Sequence, residues 1–332
     1  MILVTGAAGM VGSHLLDVFS EGELFRTDLE EEPGIHRMDI RNHDEVMSVV
    51  GQVRPRLVIH LAAETDVDRC EREPDHAYRS NAMGTLTVAS ACQRYDAEMV
   101  YISTTALFDG LKPEPYTEFD APAPQTVYAR SKWEGEKIVQ SLLSRHYVVR
   151  AGWMFGGRAK DKKFVGKIAA LCMRQDSGTN EIKAVNDKFG SPTYARDLLH
   201  TTKLLSESGL FGLYHVVNTG SCTRYEMAVE IAKILGGHVK VVPVTSDAFV
   251  LSAPRAQSEA ARSYKIELLG LKHVREWREA LQDYLGSWAI HTGTAAPNAF
   301  NGDLLAKAMA AGASAAHDLT PPNGREAGSD AP

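Results

Sequence analysis

The octapeptide Thr5-Gly6-Ala7-Ala8-Gly9-Met10-Val11-Gly12 decides which fold this sequence predicts. An apolar run precedes it and an amphipathic run follows, so its glycines fall between a strand and a helix. In such a turn Gly6 permits the tight bend, Gly9 lets the backbone approach a pyrophosphate, and Gly12 lets the helix pack on the strand. Amide N–H groups at the helix start would then face the phosphates. The spacing therefore predicts a dinucleotide-binding turn, with these three glycines as cofactor contacts.

Short apolar runs alternate with amphipathic stretches through the first half of the chain. The apolar runs predict strands at Ile2–Thr5, Glu23–Thr27, Leu57–Leu61, Glu98–Ser103 and Tyr147–Ala151. The amphipathic stretches predict helices at Met10–Phe19, Asp44–Gln52, Asn81–Arg94 and Val127–Ser144. Strands that alternate with helices of this length form parallel βαβ units. We therefore expect an α/β fold, with a Rossmann-type doubly wound parallel sheet that binds NAD(P) in residues 1–160.

The second half of the chain is less regular. Its patterns predict helices at Phe164–Arg174, Thr193–Ser206 and Arg224–Leu235, and strands at Leu213–Asn218 and Val239–Pro243. We expect residues 161–289 to form mainly a smaller C-terminal substrate-binding lobe, with some segments returning to the Rossmann domain. From residue 290 to 332 the composition shifts to Ala, Gly, Asn and Pro, which predicts a flexible Ala-rich tail with a weak helix at Asp303–Ala316.

Composition narrows the possible functions of the 332-residue chain. A formal net charge of −6 argues against nucleic acid as a partner, since phosphate binding needs clustered Lys and Arg. No uninterrupted apolar run is long enough to span a membrane, and the first residues do not have the pattern of a signal peptide. The four cysteines are far apart without CxxC spacing, which predicts reduced thiols and no metal site. We therefore expect a cytoplasmic protein.

Asp28 ends the predicted second strand and bears on the choice of cofactor. A carboxylate at this position can accept a hydrogen bond from a ribose 2′-hydroxyl and would repel a 2′-phosphate, which favours NADH. Arg26 and Arg37 are close in sequence, and either could instead hold the 2′-phosphate of NADPH. The sequence therefore predicts NADH or NADPH, with a preference for NADH.

Tyr128 and Lys132 are four residues apart in a predicted helix and so share one helix face. A phenol with an ordinary pKa near 10 is a poor acid–base group at neutral pH. A nearby ammonium and an oxidised nicotinamide would both stabilise its phenolate. In a chain that also has a dinucleotide-binding turn, this pair predicts general acid–base catalysis. Lys132 is also expected to hold the cofactor ribose.

A hydroxyl group at the end of the strand Glu98–Ser103 completes the predicted catalytic trio. Ligands of a parallel sheet bind outside the carboxyl ends of its strands, and Ser103, Thr104 and Thr105 lie at such an end. A hydroxyl there can hydrogen-bond a substrate carbonyl beside Tyr128. We predict Thr104 for this role, with Ser103 and Thr105 as the competing assignments.

Several stretches together resemble the extended short-chain dehydrogenase/reductase family, and within it the dTDP-4-dehydrorhamnose reductases. The stretches are TGAAGMVGSHL, HLAAETDVDRCEREP, YISTTALFDG, YARSKWEGEK, VVRAGWMFG and NDKFGSPTYARDL. The resemblance implies reduction of a nucleotide-linked 4-keto-6-deoxysugar, with Thr104, Tyr128 and Lys132 as catalytic residues. It implies further cofactor contacts at Met10, Val11, Asp39, Ile40, Ala62, Ala63 and Thr65. It also implies a homodimer, in some relatives with a bridging Mg²⁺.

The substrate pocket departs from the family pattern. The resemblance places Trp153 in the sugar pocket, where its ring could pack on the apolar face of a deoxysugar. Family members commonly carry an acidic residue and a tyrosine where this chain has Thr105 and Ala106, and an Arg-Pro where it has Arg255-Ala256. These changes leave the particular sugar open and make Thr105 a candidate substrate contact.

Three classes of function share this scaffold. Reduction of a keto sugar is the first, and epimerisation with a permanently bound cofactor is the second. A 4,6-dehydratase is disfavoured, because that chemistry uses an Asp–Glu pair directly after the threonine, where Thr105 and Ala106 stand. The third is a regulatory subunit like that of methionine adenosyltransferase, in which the nucleotide-binding fold serves protein assembly and not catalysis. The intact catalytic trio favours an enzyme.

Overall fold

A seven-stranded parallel sheet forms the centre of the computed structural model of this chain. The structure describes residues 1–173, 181–236, 239–271 and 274–292, with the backbone alone for 287–292. The chain divides into one unit at Met1–Ala289 and another at Ile290–Pro332. The predicted helix at Asp303–Ala316, and the predicted tail from residue 293 onward, lie outside the described residues.

The strands are β1 Ile2–Thr5, β2 Leu24–Asp28, β3 His36–Arg37, β4 Leu57–His60, β5 Glu98–Thr104, β6 His146–Ala151, β7 Trp153–Phe155, β8 Glu181–Val185, β9 Phe189–Gly190, β10 Pro192–Tyr194, β11 Gly212–His215, β12 Cys222–Thr223, β13 Lys240–Val244 and β14 Ser258–Glu259. The α-helices are α1 His43–Val53, α2 Val67–Arg72, α3 Pro74–Tyr78, α4 Gly84–Tyr95, α5 Val127–Leu142, α6 Phe164–Met173, α7 Ala195–Ser208, α8 Arg224–Ile234, α9 Tyr264–Leu268 and α10 Trp277–Thr292.

The large sheet has the strand order β11-β6-β5-β4-β1-β2-β3. From β1 the chain first adds β2 and β3 on one side and then crosses back to add β4, β5 and β6 on the other. This reversal creates a crevice at the carboxyl ends of β1 and β4, where ligands bind in open α/β sheets. The predicted fold class, a doubly wound Rossmann-type sheet, is confirmed.

Alternate residues of the central strands enter two apolar cores on opposite faces of the sheet, as the strand period of two requires. Val4 and Ile59 belong to one core, and Leu3 and Val58 belong to the other. Helix α7 from the second half of the chain packs into the first of these cores. A third core joins α6, α8 and α10 beside the sheet. The boundaries of the predicted cofactor and substrate domains stay a prediction.

The helix predicted at Met10–Phe19 is wrong in type and length. The structure has a 3₁₀-helix at Gly12–Asp17. The amide of His14 bonds to the carbonyl of Val11, three residues back, at 3.1 Å. The hydroxyl of Ser13 donates to the Met10 carbonyl at 2.8 Å, and such local side-chain bonds compete with regular helix formation.

Smaller differences occur at element boundaries. The helix predicted from Asn81 begins with a π-helical turn at Arg79–Met83, and α4 proper starts at Gly84. Thr193, predicted as helical, lies in β10. Among the described residues, no helix combines the length and the hydropathy that a membrane span requires.

Candidate active site

A cavity of about 1000 Å³ opens at the carboxyl ends of β1, β2, β4 and β5. Most residues predicted to bind cofactor or substrate line this cavity: Gly6, Gly9, Met10, Val11, Asp28, Asp39, Ile40, Ala62, Ala63, Thr65, Thr104, Tyr128, Lys132 and Trp153. Gly12 and Thr105 do not line it. The fold thus brings the predicted cofactor turn, the predicted catalytic trio and the predicted sugar-pocket tryptophan into one space.

The glycine turn has the shape that a dinucleotide needs. Gly6 has a φ of +73°, and a Cβ there would lie 2.5 Å from the Ala62 backbone nitrogen. A Cβ at Gly12 would lie 2.1 Å from the Ala7 carbonyl oxygen, so Gly12 serves close packing behind the turn. A Cβ at Gly9 would meet only the Gly6 carbonyl within 4 Å. The backbone at Gly9 is therefore open to the cavity, which fits the approach of a pyrophosphate.

Asp28, the last residue of β2, is tied to this turn. One of its carboxylate oxygens accepts the amide of Ala8 at 2.9 Å, and the other accepts the amide of Leu29 at 2.7 Å. The two nearby arginines face elsewhere, since Arg26 lies 3.5 Å from Glu21 and Arg37 lies 3.1 Å from Glu45. Neither arginine lines the cavity, so neither is placed to hold a 2′-phosphate there.

Asp39 and Ile40 border the far end of the same cavity. The backbone amide and the side chain of Arg41 donate to Asp39 at 2.7–3.2 Å. These bonds and the charge of Arg41 hold the pKa of the Asp39 carboxyl below its usual value, although partial burial opposes the shift. Ile40 packs against Gly84, where a Cβ would lie 2.7 Å from the isoleucine side chain. The arrangement holds both residues firmly beside the cavity.

Tyr128 lies in the first turn of α5, whose start is capped by the Thr126 hydroxyl accepting the Ala129 amide at 3.1 Å. Burial raises the pKa of the Tyr128 phenol well above its usual value. The adjacent Thr104 hydroxyl opposes that shift, and the charge of the neighbouring Glu259 adds to it. The phenol is therefore protonated at neutral pH, with the Thr104 hydroxyl beside it.

Lys132 lies one helical turn after Tyr128 and is only 3% exposed. Its ammonium nitrogen lies 4.2 Å from the centre of the Tyr101 ring. Burial lowers the pKa of Lys132 to about 7, and the charge of Glu136 opposes the shift. Glu136 is itself held by two bonds from Arg150, at 2.7 and 2.8 Å. Lys132 is thus a cation whose charge state changes near neutrality.

His60 is a neutral structural group beneath the site. The Thr85 hydroxyl donates to the Asn81 carbonyl at 2.7 Å, so at 3.2 Å it accepts from His60 Nε2. His60 Nδ1 then accepts the Thr5 hydroxyl at 2.7 Å. Burial and the charge of Lys132 lower the pKa of His60 to about 3. This histidine is therefore uncharged at neutral pH.

The three hydroxyls at the end of β5 have different environments. The Thr104 hydroxyl lines the cavity beside Tyr128 and accepts the Ala106 amide at 3.1 Å. The Ser103 and Thr105 hydroxyls are buried without a hydrogen-bond partner among the described residues. Thr105 is 1% exposed and lies outside the cavity lining, so the structure does not bring it to the predicted substrate position.

Trp153 lies on the other side of the cavity, in a cluster that the sequence did not predict. Its indole Nε1 donates to Glu259 at 3.0 Å, and the Arg224 guanidinium stacks 3.6 Å from its ring centre. A Cβ at Gly190 would lie 2.1 Å from the indole, so only glycine leaves room for this ring. Burial raises the pKa of Glu259 and lowers the pKa of Arg224 to about 10.

Arg224 is in no ion pair within 4 Å among the described residues, although the nearby charge of Glu259 partly opposes the lowering of its pKa. Its guanidinium lies between the Trp153 and Phe164 rings, the second at 4.8 Å. Burial of a cation is costly, and the Glu259 carboxylate offsets this cost only in part, so Arg224 is suited to bind an anion. Nothing in the local sequence marked Arg224, because it is brought to Trp153 only by the tertiary fold.

One cavity at the carboxyl edge of the parallel sheet contains both the glycine turn and the Tyr–Lys pair. This combination defines an extended short-chain dehydrogenase/reductase. Residues 1–290 match the family model described as RmlD substrate binding domain, so the chain belongs to that family. The predicted family and the predicted class, an NAD(P)-dependent oxidoreductase, are confirmed. In the described residues, no group of three or more His, Cys, Asp or Glu side chains is arranged to hold a metal ion.

Curated relatives cover nearly the whole chain. The spore coat polysaccharide biosynthesis protein SpsK of Bacillus subtilis is 33% identical over 86% of this chain and 96% of its own length. The dTDP-4-dehydrorhamnose reductase of Mycobacterium tuberculosis is 35% identical over 88% of this chain and 94% of its own length. The chain is thus similar to these two proteins over most of its length.

Solved structures agree with this family. A dTDP-4-dehydrorhamnose reductase from Clostridium acetobutylicum superposes with a TM-score of 0.80 at 35% identity, covering 87% of this chain and 99% of that one. The corresponding enzyme from Bacillus anthracis, in complex with NADP, also has a TM-score of 0.80 at 35% identity, with coverages of 86% and 98%. The chain therefore has a function like that of the dTDP-4-dehydrorhamnose reductases.

Proposed function

We propose that this chain reduces the 4-keto group of a nucleotide-linked 4-keto-6-deoxysugar with NADH or NADPH, and that Tyr128 supplies the proton. The observation that carries the proposal is the placement of Thr104, Tyr128 and the buried Lys132 together in the cavity of the glycine turn. The names of the relatives support the substrate class. The NADP complex of one structural relative supports the cofactor class.

The residues of the chain account for the binding of a dinucleotide. The open backbone at Gly9 and the amides that follow would receive the pyrophosphate, and Asp28 would receive a ribose hydroxyl. Lys132 would hold the second ribose as well as acting on Tyr128. When bound, the nicotinamide supplies the hydride that the carbonyl carbon accepts.

The proton comes from the Tyr128 hydroxyl. Because burial keeps the pKa of this phenol high, Tyr128 holds its proton at neutral pH, as a proton donor must. A carbonyl oxygen placed beside the two hydroxyls would accept hydrogen bonds from Thr104 and Tyr128. As the carbonyl carbon gains its hydrogen, the oxygen takes the phenolic proton and becomes an alcohol. The Lys132 ammonium then stabilises the phenolate that remains.

The opposite wall of the cavity fits a sugar nucleotide. The Trp153 ring provides an apolar face for a deoxysugar, and the Glu259 carboxylate beside it can accept from sugar hydroxyls. Arg224 and Arg255 both line this side, and Arg255 is paired with Asp68 at 2.7 Å. Guanidinium groups are well suited to bind phosphates, so these two arginines would hold the diphosphate.

The test is oxidation of NADH and of NADPH by the purified chain with dTDP-linked 4-keto-6-deoxysugars. Turnover with release of oxidised cofactor and formation of the 4-hydroxy sugar is expected. If the chain epimerises the sugar without net oxidation of the cofactor, the protein is an epimerase and not a reductase. Absence of both reactions, with tight association to a large partner protein, would favour the regulatory-subunit reading. A homodimer and a cytoplasmic location stay predictions.

A further inference from the structure

We propose that Lys160 and Glu32 form an exchangeable ion pair that governs whether this enzyme accepts the 2′-phosphate of NADPH. Lys160 would leave Glu32 to bind the phosphate and would return to Glu32 when NADH is bound. The proposal rests on the proposed use of a nicotinamide dinucleotide. It adds a residue from the second half of the chain to the recognition of the adenosine end.

The pair joins two distant segments across the cofactor end of the cavity. The Lys160 ammonium lies 2.7 and 3.1 Å from the two carboxylate oxygens of Glu32, although 128 residues separate them. Glu32 belongs to the loop that follows β2, whose last residue is Asp28. All three side chains line the cavity. Since the residue at the end of β2 meets the adenosine ribose in this fold, the pair lies on the side of the 2′-position.

Other cations near this end are less suited to the role. Arg41 is held by Asp39 through both main-chain and side-chain bonds of 2.7–3.2 Å. Arg26 and Arg37 lie outside the cavity lining. Lys163 donates to the carbonyl and the hydroxyl of Thr65, both at 3.0 Å. Lys160 lines the cavity and contacts Glu32 in the loop after Asp28.

The backbone presents Lys160 at a fixed place while its side chain is free to move. Gly157 has a φ of +80°, and its amide donates to His14 Nε2 at 2.9 Å. The Lys160 amide donates back to the Gly157 carbonyl at 2.8 Å, which closes the turn. A Cβ at Gly157 would lie 3.0 Å from the Met10 carbonyl, so this turn lies directly on the glycine loop.

The strength of the pair suits exchange. Both side chains are 42% exposed, and ion pairs with this exposure are weak and screened by salt. A phosphate carries more charge than a carboxylate and offers three oxygens to the ammonium. When no phosphate is bound, the Glu32 carboxylate pairs with the Lys160 ammonium. Its negative charge also repels an approaching phosphate. Lys160 therefore favours NADPH, and Glu32 opposes it.

The experiment compares Lys160→Ala and Glu32→Gln with Lys162→Ala, a neighbouring lysine that also lines the cavity. Calorimetry of the full chain measures the affinities for adenosine 2′,5′-bisphosphate and for adenosine 5′-monophosphate. The ratio of these affinities should fall about tenfold in Lys160→Ala, the size of one hydrogen bond to a charged group. In Glu32→Gln the ratio should rise severalfold, and in Lys162→Ala it should stay as in the wild type.

These binding measurements need no sugar substrate, so they separate this proposal from the proposed reduction. Where the enzyme turns over, the ratio of kcat/KM for NADPH to that for NADH should change in the same directions. An unchanged ratio in Lys160→Ala, or an equal fall in Lys162→Ala, would overturn the role of Lys160. If neither nucleotide binds the correctly folded wild-type chain, the proposed dinucleotide site is wrong as well.

Discussion

The Thr104 hydroxyl lies beside the Tyr128 phenol in the cavity lining, and this contact joins the end of a central strand to the start of a helix. It places two hydroxyl groups side by side in the cavity that the glycine turn opens. Threonine and tyrosine are both common residues. Their assignment to the active site therefore rests on this contact and on the buried Lys132 one helical turn away. The predictions below test the parts of this arrangement separately.

Removing the Thr104 hydroxyl should slow turnover, whereas removing the neighbouring Thr105 hydroxyl should not. Thr104→Val is expected to lower kcat by roughly 10–100-fold, because it removes a hydrogen bond to the carbonyl oxygen as that oxygen gains charge. Thr105→Val is the matched control, since its hydroxyl is buried without a partner among the described residues. Steady-state kinetics of both variants measure the difference. Equal losses in the two variants would mean that Thr104 has no special part in the reaction.

The charge on Lys132 should set an upper pH limit for activity. Burial lowers its pKa to about 7, so the ammonium is present below that pH and is lost as the pH rises through it. The kcat/KM of the free enzyme should therefore fall on the alkaline side. Glu136→Gln removes a charge that favours the ammonium, so this limb should move about 1 pH unit toward acid.

Glu136→Asp keeps the carboxylate and is the control for the pH profile. Glu136→Gln also leaves the buried Arg150 guanidinium without its anion, which should lower the free energy of unfolding by about 3–5 kcal/mol. The profile is therefore measured well below the melting temperature of the variant. An alkaline limb at the same pH in wild type and Glu136→Gln would show that Lys132 is not the titrating group.

Asp28 should affect both cofactor choice and the shape of the glycine turn. Asp28→Asn removes the negative charge but keeps an oxygen for one amide, so the preference should move toward NADPH about tenfold. Asp28→Ala also leaves the Ala8 and Leu29 amides without their acceptors, so KM should rise for both cofactors. Initial rates with each cofactor distinguish the two effects. A constant cofactor ratio in both variants would remove Asp28 as a selector.

Arg224 should act on the substrate and leave the cofactor unaffected. Arg224→Gln is expected to raise KM for the sugar nucleotide about tenfold and to weaken inhibition by dTDP equally. Arg278→Gln is a matched control, since Arg278 stacks 4.3 Å from the Trp277 ring outside the cavity. Unchanged dTDP inhibition in Arg224→Gln, with weaker sugar binding, would assign Arg224 to the sugar instead of the diphosphate.

The sequence predicted those parts of the fold and site whose signals are local. The glycine turn is one continuous stretch, and Tyr128 and Lys132 share a helix face, so spacing alone linked them. The buried strands were predicted because apolar runs of this length have few alternatives. The type of the first helix was missed, because apolar periodicity shows neither the bond from the Ser13 hydroxyl to the Met10 carbonyl nor the close packing of Gly12 on Ala7.

The contacts between distant segments could not be predicted from the sequence. Trp153 and Glu259 are 106 residues apart, and Lys160 and Glu32 are 128 apart. No spacing rule connects such positions. The same holds for the burial that moves the pKa of Lys132 toward neutrality, since burial depends on all the elements that surround a side chain.

The central claim is that Tyr128 donates the proton to the sugar carbonyl, and Tyr128→Phe tests it most directly. The variant keeps the ring and loses only the hydroxyl, so it should fold and bind both NADPH and the sugar nucleotide. Single-turnover reduction of a dTDP-linked 4-keto-6-deoxysugar should be slower by roughly 10²–10⁴, the usual range for loss of a general acid. A Tyr128→Phe rate within a factor of about two of the wild type would contradict the account.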